Sequence, residues 1–192
     1  EEVAIRHFLD SLSCLLVLKP RPPGLRLIDI GTGAGFPGLP LKIVCPKIDL
    51  TLVEATAKKT EFLKHIIATL KLENVTVINE RAETLGRDGA HREQYDWVLA
   101  RAVAGMRTLA EYLLPLCKVS GRCLAQKGET AHQEVAEAQA AIELLGGRIR
   151  QLTPVELPTV AETRYLVDLH KAVATPPPYP RRPGIPSKRP LG

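Results

Sequence analysis

A doubly wound α/β fold is what this sequence predicts, on three observations. Apolar, strand-like runs alternate with segments of helical period along most of the chain. The first such run, residues 25–30, ends in a turn with glycines at positions 31, 33, 35 and 38. A strand, a glycine-rich turn and a helix in that order build the nucleotide-type site of α/β proteins. The last two runs, 148–157 and 163–169, have no helix between them, which predicts an antiparallel hairpin at the sheet edge. The whole is a Rossmann-like, mostly parallel seven-stranded sheet with helices on both faces.

Each element has its own signal. Val3, Ile5, Phe8, Leu9, Leu12, Leu15 and Leu16 mostly follow helical spacing, predicting an amphipathic helix that stops near Lys19-Pro20. His7 and Asp10 lie on it, with surface ion pairing as their ordinary role. Pro20, Pro22, Pro23 and Gly24 make a stiff connector into the first strand. Residues 39–44 read as a short helix ended by Pro46, and 49–53 as a second buried strand ending at Glu54. Thr56 is placed to cap a helix to about residue 72, with Phe62, Leu63, Ile66, Ile67 and Leu70 as its apolar face. Residues 74–78 are the third strand, 80–93 a polar loop and 95–100 the fourth strand. A helix over 106–116, a strand over 121–126 and a helix over 130–145 closed by Gly146-Gly147 complete the alternation. The organisation is an N-terminal helix and connector (1–24), a central domain (25–175) and a basic, proline-rich tail (176–192).

Composition bounds the partners. With 192 residues and 45% apolar content the chain is long enough for a real core. No apolar run approaches a membrane span, and no leader-like signal opens the chain, so a cytoplasmic protein is expected. Cys14, Cys45, Cys117 and Cys123 show no metal spacing and read as buried free thiols, with no metal site expected. Most of the net charge of +5 is local, because the tail holds Arg181, Arg182, Lys188 and Arg189 and no acid. A near-neutral body with a basic tail points to an anionic partner met at one place, such as nucleic acid.

The loop's acids choose the ligand. Gly33-x-Gly35-x-x-Gly38 fits a dinucleotide pattern, and Asp29-x-Gly31-x-Gly33-x-Gly35 fits the denser pattern of S-adenosylmethionine-dependent methyltransferases. Asp29 beside a pyrophosphate would repel it, whereas it suits a cationic ammonium and sulfonium. Glu54, followed by Ala55 and Thr56, stands where both classes hold ribose hydroxyls. Ala82 and Glu83 lie where methyltransferases meet the adenine. The closing hairpin also belongs to methyltransferases, which makes the expected fold that of class I S-adenosylmethionine-dependent enzymes.

The fourth strand narrows the target. It ends in Leu99-Ala100-Arg101-Ala102, without the Asn/Asp-Pro-Pro-aromatic element usual for exocyclic amines. No cysteine nucleophile stands there for C5-pyrimidine chemistry. A target with an available lone pair remains, and guanine N7 is one. It needs no general base, so catalysis would rest on positioning and electrostatics. A methyltransferase acting on another RNA, a protein or a small molecule is the alternative.

In combination, DIGTGAGFPGLPLKIV, VEA-x-x-KK-x-x-FL, RAE, LARAVA and TPPPYPRRPGIPSKRPL resemble the RsmG (GidB) family over nearly the whole chain. That family is the bacterial 16S ribosomal RNA guanine-N7 methyltransferase, acting in the 530 loop of the small subunit; its loss is associated with low-level streptomycin resistance. It usually has a further N-terminal helical segment, so truncation is expected here. The resemblance implies S-adenosylmethionine contacts at Gly31, Phe36, Glu54, Ala82, Glu83 and Arg101, beside the rest of the loop at Asp29, Gly33 and Gly35. Arg101 is also the candidate catalytic residue. Lys58, Lys59, Lys127, Arg164, Arg181 and Arg182 are the candidate contacts to 16S rRNA or the small subunit. A monomer without metal is expected. Some family members end before the tail.

Overall fold

The computed structural model describes residues 2–192. Its sheet contains β1 (Arg26–Ile30), β2 (Asp49–Val53), β3 (Val75–Ile78), β4 (Tyr95–Arg101), β5 (Cys117–Lys127), β6 (Gly147–Val155) and β7 (Arg164–Lys171). The spatial order is β3-β2-β1-β4-β5-β7-β6. β1 to β5 are parallel, and β7 enters antiparallel to β5 with β6 outside it. The predicted hairpin is therefore present, with its second strand innermost. Strand order reverses at β1, so the crevice beyond the ends of β1 and β4 is the topological switch point where ligands bind in open α/β sheets.

Side chains alternate across each strand, and the two faces take separate cores. Ile28, Ile30, Val98 and Ala100 pack with Met106, Leu109 and Leu113 of α5 (Met106–Leu113) and with Val135, Ala138 and Ile142 of α6 (Ala131–Leu144). Leu27, Leu52 and Leu99 pack with Leu39 and Leu41 of α2 (Gly38–Val44), Leu63 of α3 (Ala57–Thr69), and Cys14. α5 stops at Leu113 rather than 116, since Pro115 removes an amide donor and disfavours helix before it. Within the expected polar loop, Ala82–Leu85 form a short helix, α4, that buries Ala82, Glu83 and Leu85. β5 starts at Cys117, ahead of the expected 121, and its register against β4 shifts between Tyr95 and Trp97.

Two termini differ from expectation. The first segment is helical but not uniform: a π-helical stretch Ala4–Leu9, α1 (Asp10–Ser13) and a 3-10 turn Cys14–Leu16. Changing the residues per turn rotates the apolar stripe out of register. Val3, Phe8, Leu9 and Leu16 are exposed, while Asp10, Ser11 and Cys14 are buried. Phe62 on α3 and Leu70 just past its end are likewise exposed, and Leu63 carries the packing. Cys14, Cys117 and Cys123 are buried free thiols, and Cys45 is half-buried.

The tail is no free arm. Arg92 donates to Thr175 O at 2.7 Å and Tyr179 O at 2.6 Å. Arg87 Nε donates to Pro180 O at 2.8 Å and Thr108 Oγ1 to Pro186 O at 3.1 Å. Arg107 Nη2 reaches Gly192 O at 2.6 Å. A short helix, α7 (Ile185–Lys188), lies against α5. The prolines stiffen the segment while its carbonyls satisfy arginines of the body.

Candidate active site

The glycine loop leaves β1 at the switch point. Gly31, Gly33 and Gly35 have φ of +66°, +61° and +99°, a region that side chains disfavour. Gly38 opens α2 under a different constraint. A Cβ there would stand 2.6 Å from Leu52 Cδ2, and the Gly38 amide donates to Asp29 Oδ2 at 2.9 Å. Thr32 Oγ1 donates to the same oxygen at 2.6 Å.

Asp29 therefore corrects an expectation. It is fully buried beneath the loop and ties the loop's two ends, rather than facing a ligand cation. The cause is strand parity, since Asp29 shares its face with Leu27 on the α2 side. Burial pushes its carboxyl up to about 6, against the opposing pull of Thr32 and the Gly38 amide. Its Oδ1 has no partner.

Glu54, just past β2, is almost buried and holds the loop from the other side. Its Oε2 accepts from Gly33 N at 3.2 Å, and its Oε1 from Thr56 N at 2.9 Å. Burial raises the Glu54 carboxyl, but the Thr56 amide and hydroxyl, Lys59 and the Gly33 amide together hold it below the usual range. Thr56 does sit at the N-cap of α3, yet its side chain makes no capping hydrogen bond there.

Two cavities flank the turn after β4. One, about 270 Å³, is lined by Gly31, Ala55, Ala82, Glu83, Val103 and Tyr112 among others. A Cβ on Gly31 would meet Val103 Cγ2 at 2.8 Å, so the loop touches the segment after β4 directly. Glu83 is also tied to the tail, accepting from Gly184 N at 2.9 Å. Ser187 of α7 lines this same cavity.

The second cavity, about 320 Å³, is lined by His7, Asp10, Arg101, Gln126, Lys127 and Arg164 among others. Arg101 Nη1 donates to Asp10 Oδ2 at 3.0 Å, and its guanidinium lies 5.1 Å from the Phe36 ring centroid. The His7 ring also stacks on Phe36, with 5.4 Å between ring centroids. Ala102 follows at φ +54°, a strained value for a side-chain-bearing residue in the turn between the cavities. Loop, β2 end and β4 end thus converge, bringing together Gly31, Gly33, Phe36, Glu54, Ala82, Glu83 and Arg101.

The basic candidates separate. Lys58 and Lys59 are exposed at the start of α3, and Arg182 is exposed on the tail. Lys127 is paired with Glu134 at 2.6 Å and also donates to Ala104 O at 3.0 Å. Arg181 corrects the expectation of a free cation, because its guanidinium meets the buried Glu111 at 2.6 Å. Arg164 lines the second cavity. Asp10, expected at the surface, is instead buried beside Arg101, and Gln126, which the residue pattern did not single out, is buried in the wall of the same cavity. An acid within an apolar helical stretch and a glutamine ending an apolar strand were the only signals. Among the described residues, no three His, Cys, Asp or Glu side chains converge.

The description "GidB: rRNA small subunit methyltransferase G" matches this chain over residues 1–161. The chain belongs to the GidB family. A relative from Roseiflexus castenholzii named ribosomal RNA small subunit methyltransferase G is 56% identical over 190 residues, 99% of this chain and 80% of its own. One of the same name from Chloroflexus aggregans is 52% identical over 186 residues, 97% of this chain and 77% of its own. Among solved structures, TYW2 of P. horikoshii in complex with MeSAdo superposes with a TM-score of 0.66 at 18% identity, covering 85% of this chain and 62% of that one. Geranyl diphosphate C-methyltransferase from Streptomyces coelicolor gives 0.66 at 12% identity, covering 85% and 79%. These likenesses show the class I methyltransferase fold, and with the family they place the GidB chain among S-adenosylmethionine-dependent methyltransferases.

Proposed function

We propose that this chain transfers a methyl group from S-adenosylmethionine to N7 of a guanine in the 530 loop of 16S rRNA. The family match across residues 1–161 carries the reading. The cofactor side is supported by how well the residues suit it. Gly31, Ala55 and Ala82 give the 270 Å³ cavity small, close walls fit for a flat heterocycle, and Val103 adds an apolar one. Glu54, between two wall residues, offers an ionised carboxylate to ribose hydroxyls. Held there, the cofactor supplies a methyl group on a sulfonium, which an aromatic nitrogen lone pair takes without a base.

The chain's own work is then placement and charge. Arg101 alone would oppose a purine that becomes cationic on methylation. Asp10, 3.0 Å away, cancels that charge and leaves the guanidinium over the Phe36 ring. Of the candidate cations, Lys58, Lys59 and Arg182 are the exposed ones that could meet RNA phosphates, Lys59 also standing 3.8 Å from Glu54. The test is methylation assayed side by side on 16S rRNA, 30S subunits and 70S ribosomes, with protein and metabolite extracts as competitors. Methyl incorporation at a guanine N7 of small-subunit rRNA is expected. Incorporation only into the extracts, or unchanged N7-methylguanine in rRNA from cells lacking the protein, would refute it.

A further inference from the structure

We infer that Asp10 and Gln126 read the Watson–Crick edge of the target guanine, making the second cavity a specificity pocket. The inference rests on the guanine reading above. Five buried side-chain polar atoms lack a partner among the described residues, and three of them, Asp10 Oδ1, Gln126 Oε1 and Arg164 Nε, belong to residues lining this one cavity. Native structures rarely leave such atoms unsatisfied, so their grouping points to a ligand that completes them. Asp10 and Gln126 are only 6% and 7% exposed, so the acceptors are fixed features of the wall and not solvated surface groups.

The orientation of each group is determined. Gln126 Nε2 donates to the main-chain carbonyl of Asp10 at 2.8 Å. A carbonyl only accepts, so the amide cannot be flipped and Oε1 is the free atom. Asp10 Oδ2 is taken by Arg101, which leaves Oδ1 as the second acceptor. Two acceptors, on Asp10 and Gln126, and an unpartnered donor on Arg164 thus belong to residues lining this one cavity.

Guanine carries the complement. Its Watson–Crick edge has two adjacent donors, N1–H and the 2-amino group, next to the O6 acceptor. Adenine has one donor beside an acceptor, cytosine one donor beside two acceptors, and uracil a single donor between two acceptors. Only guanine satisfies both oxygens together. N7 belongs to the other ring of the purine, so gripping the N1 and 2-amino edge leaves N7 free to react. Single-stranded RNA bases are read on this edge once unstacked.

The experiment replaces the target guanosine by inosine, which keeps N7, O6 and N1–H but lacks the 2-amino group, in reconstituted 30S subunits. The wild type should lose roughly ten- to a hundredfold in kcat/KM on inosine, the scale of one good base-edge contact. Gln126→Leu should show the same loss on guanosine and no further loss on inosine. Calorimetry with S-adenosylhomocysteine reports whether each variant keeps its fold and cofactor site. A wild type indifferent to inosine overturns the inference without any variant, as does an inosine penalty unchanged in Gln126→Leu. A wild type that methylates protein or metabolites and no rRNA sinks the guanine reading itself, a distinguishable result.

Discussion

Arg101 at the end of β4 donates from Nη1 to Asp10 Oδ2 at 3.0 Å, joining the candidate site to the N-terminal helical segment. Both partners are mostly buried, with side chains 16% and 9% exposed. Removing one partner of such a pair leaves a desolvated charge behind. Asp10→Ala should therefore destabilise the fold by about 2–4 kcal/mol in urea unfolding. It should also lower kcat more than it changes cofactor affinity, since Arg101 loses its anchor while Glu54 is untouched. A variant with wild-type stability and kcat would show that the pair neither holds the segment nor orients Arg101.

Glu54 spends one oxygen on the Gly33 amide and one on the Thr56 amide, and carboxylate oxygens have lone pairs left for ribose hydroxyls. Glu54→Ala should weaken S-adenosylhomocysteine binding by about 1–3 kcal/mol, as expected for hydrogen bonds to a charged group. Glu54→Gln should fall between, because it keeps one acceptor. Isothermal calorimetry decides it, and wild-type affinity in Glu54→Ala would remove the ribose role.

The strand alternation and the glycine turn made β1 to β5 and the closing hairpin legible in the sequence, because buried parallel strands are continuous apolar runs. Glu54 was legible because its place is set by chain order alone. Asp29 was not, since facing the ligand or lying under the loop is one step of strand parity, which the pattern DIG does not reveal. Asp10 and Arg101 are 91 residues apart, and no local period records such a pairing. The tail misled for a different reason. Its charge is real, but the Arg181 partner, Glu111, sits on α5 and is fully buried.

That contrast separates two neighbours. Arg181→Ala should destabilise the protein by about 2–4 kcal/mol, because it strands a buried carboxylate, and should leave the salt dependence of RNA binding near that of the wild type. Arg182→Ala should do the reverse, keeping the melting temperature and lowering the salt slope by about one. Thermal unfolding and filter binding across ionic strengths measure the two effects. A reduced slope in Arg181→Ala would mean that this arginine leaves Glu111 for phosphate.

Asp29 gives a pH signature. Its carboxyl is raised from 3.8 to about 6 in the folded protein. Between those values the native state binds more protons than the unfolded chain, so stability falls as pH rises through this window and levels above it. The shift corresponds to about 3 kcal/mol. Asp29→Asn keeps an oxygen to accept from Thr32 and Gly38 but carries no charge to desolvate. The stability of Asp29→Asn relative to wild type should therefore grow in its favour from pH 4 to pH 6.5 and then stay constant, in urea unfolding at fixed ionic strength. A stability difference independent of pH would mean that Asp29 keeps an ordinary carboxyl beneath the loop.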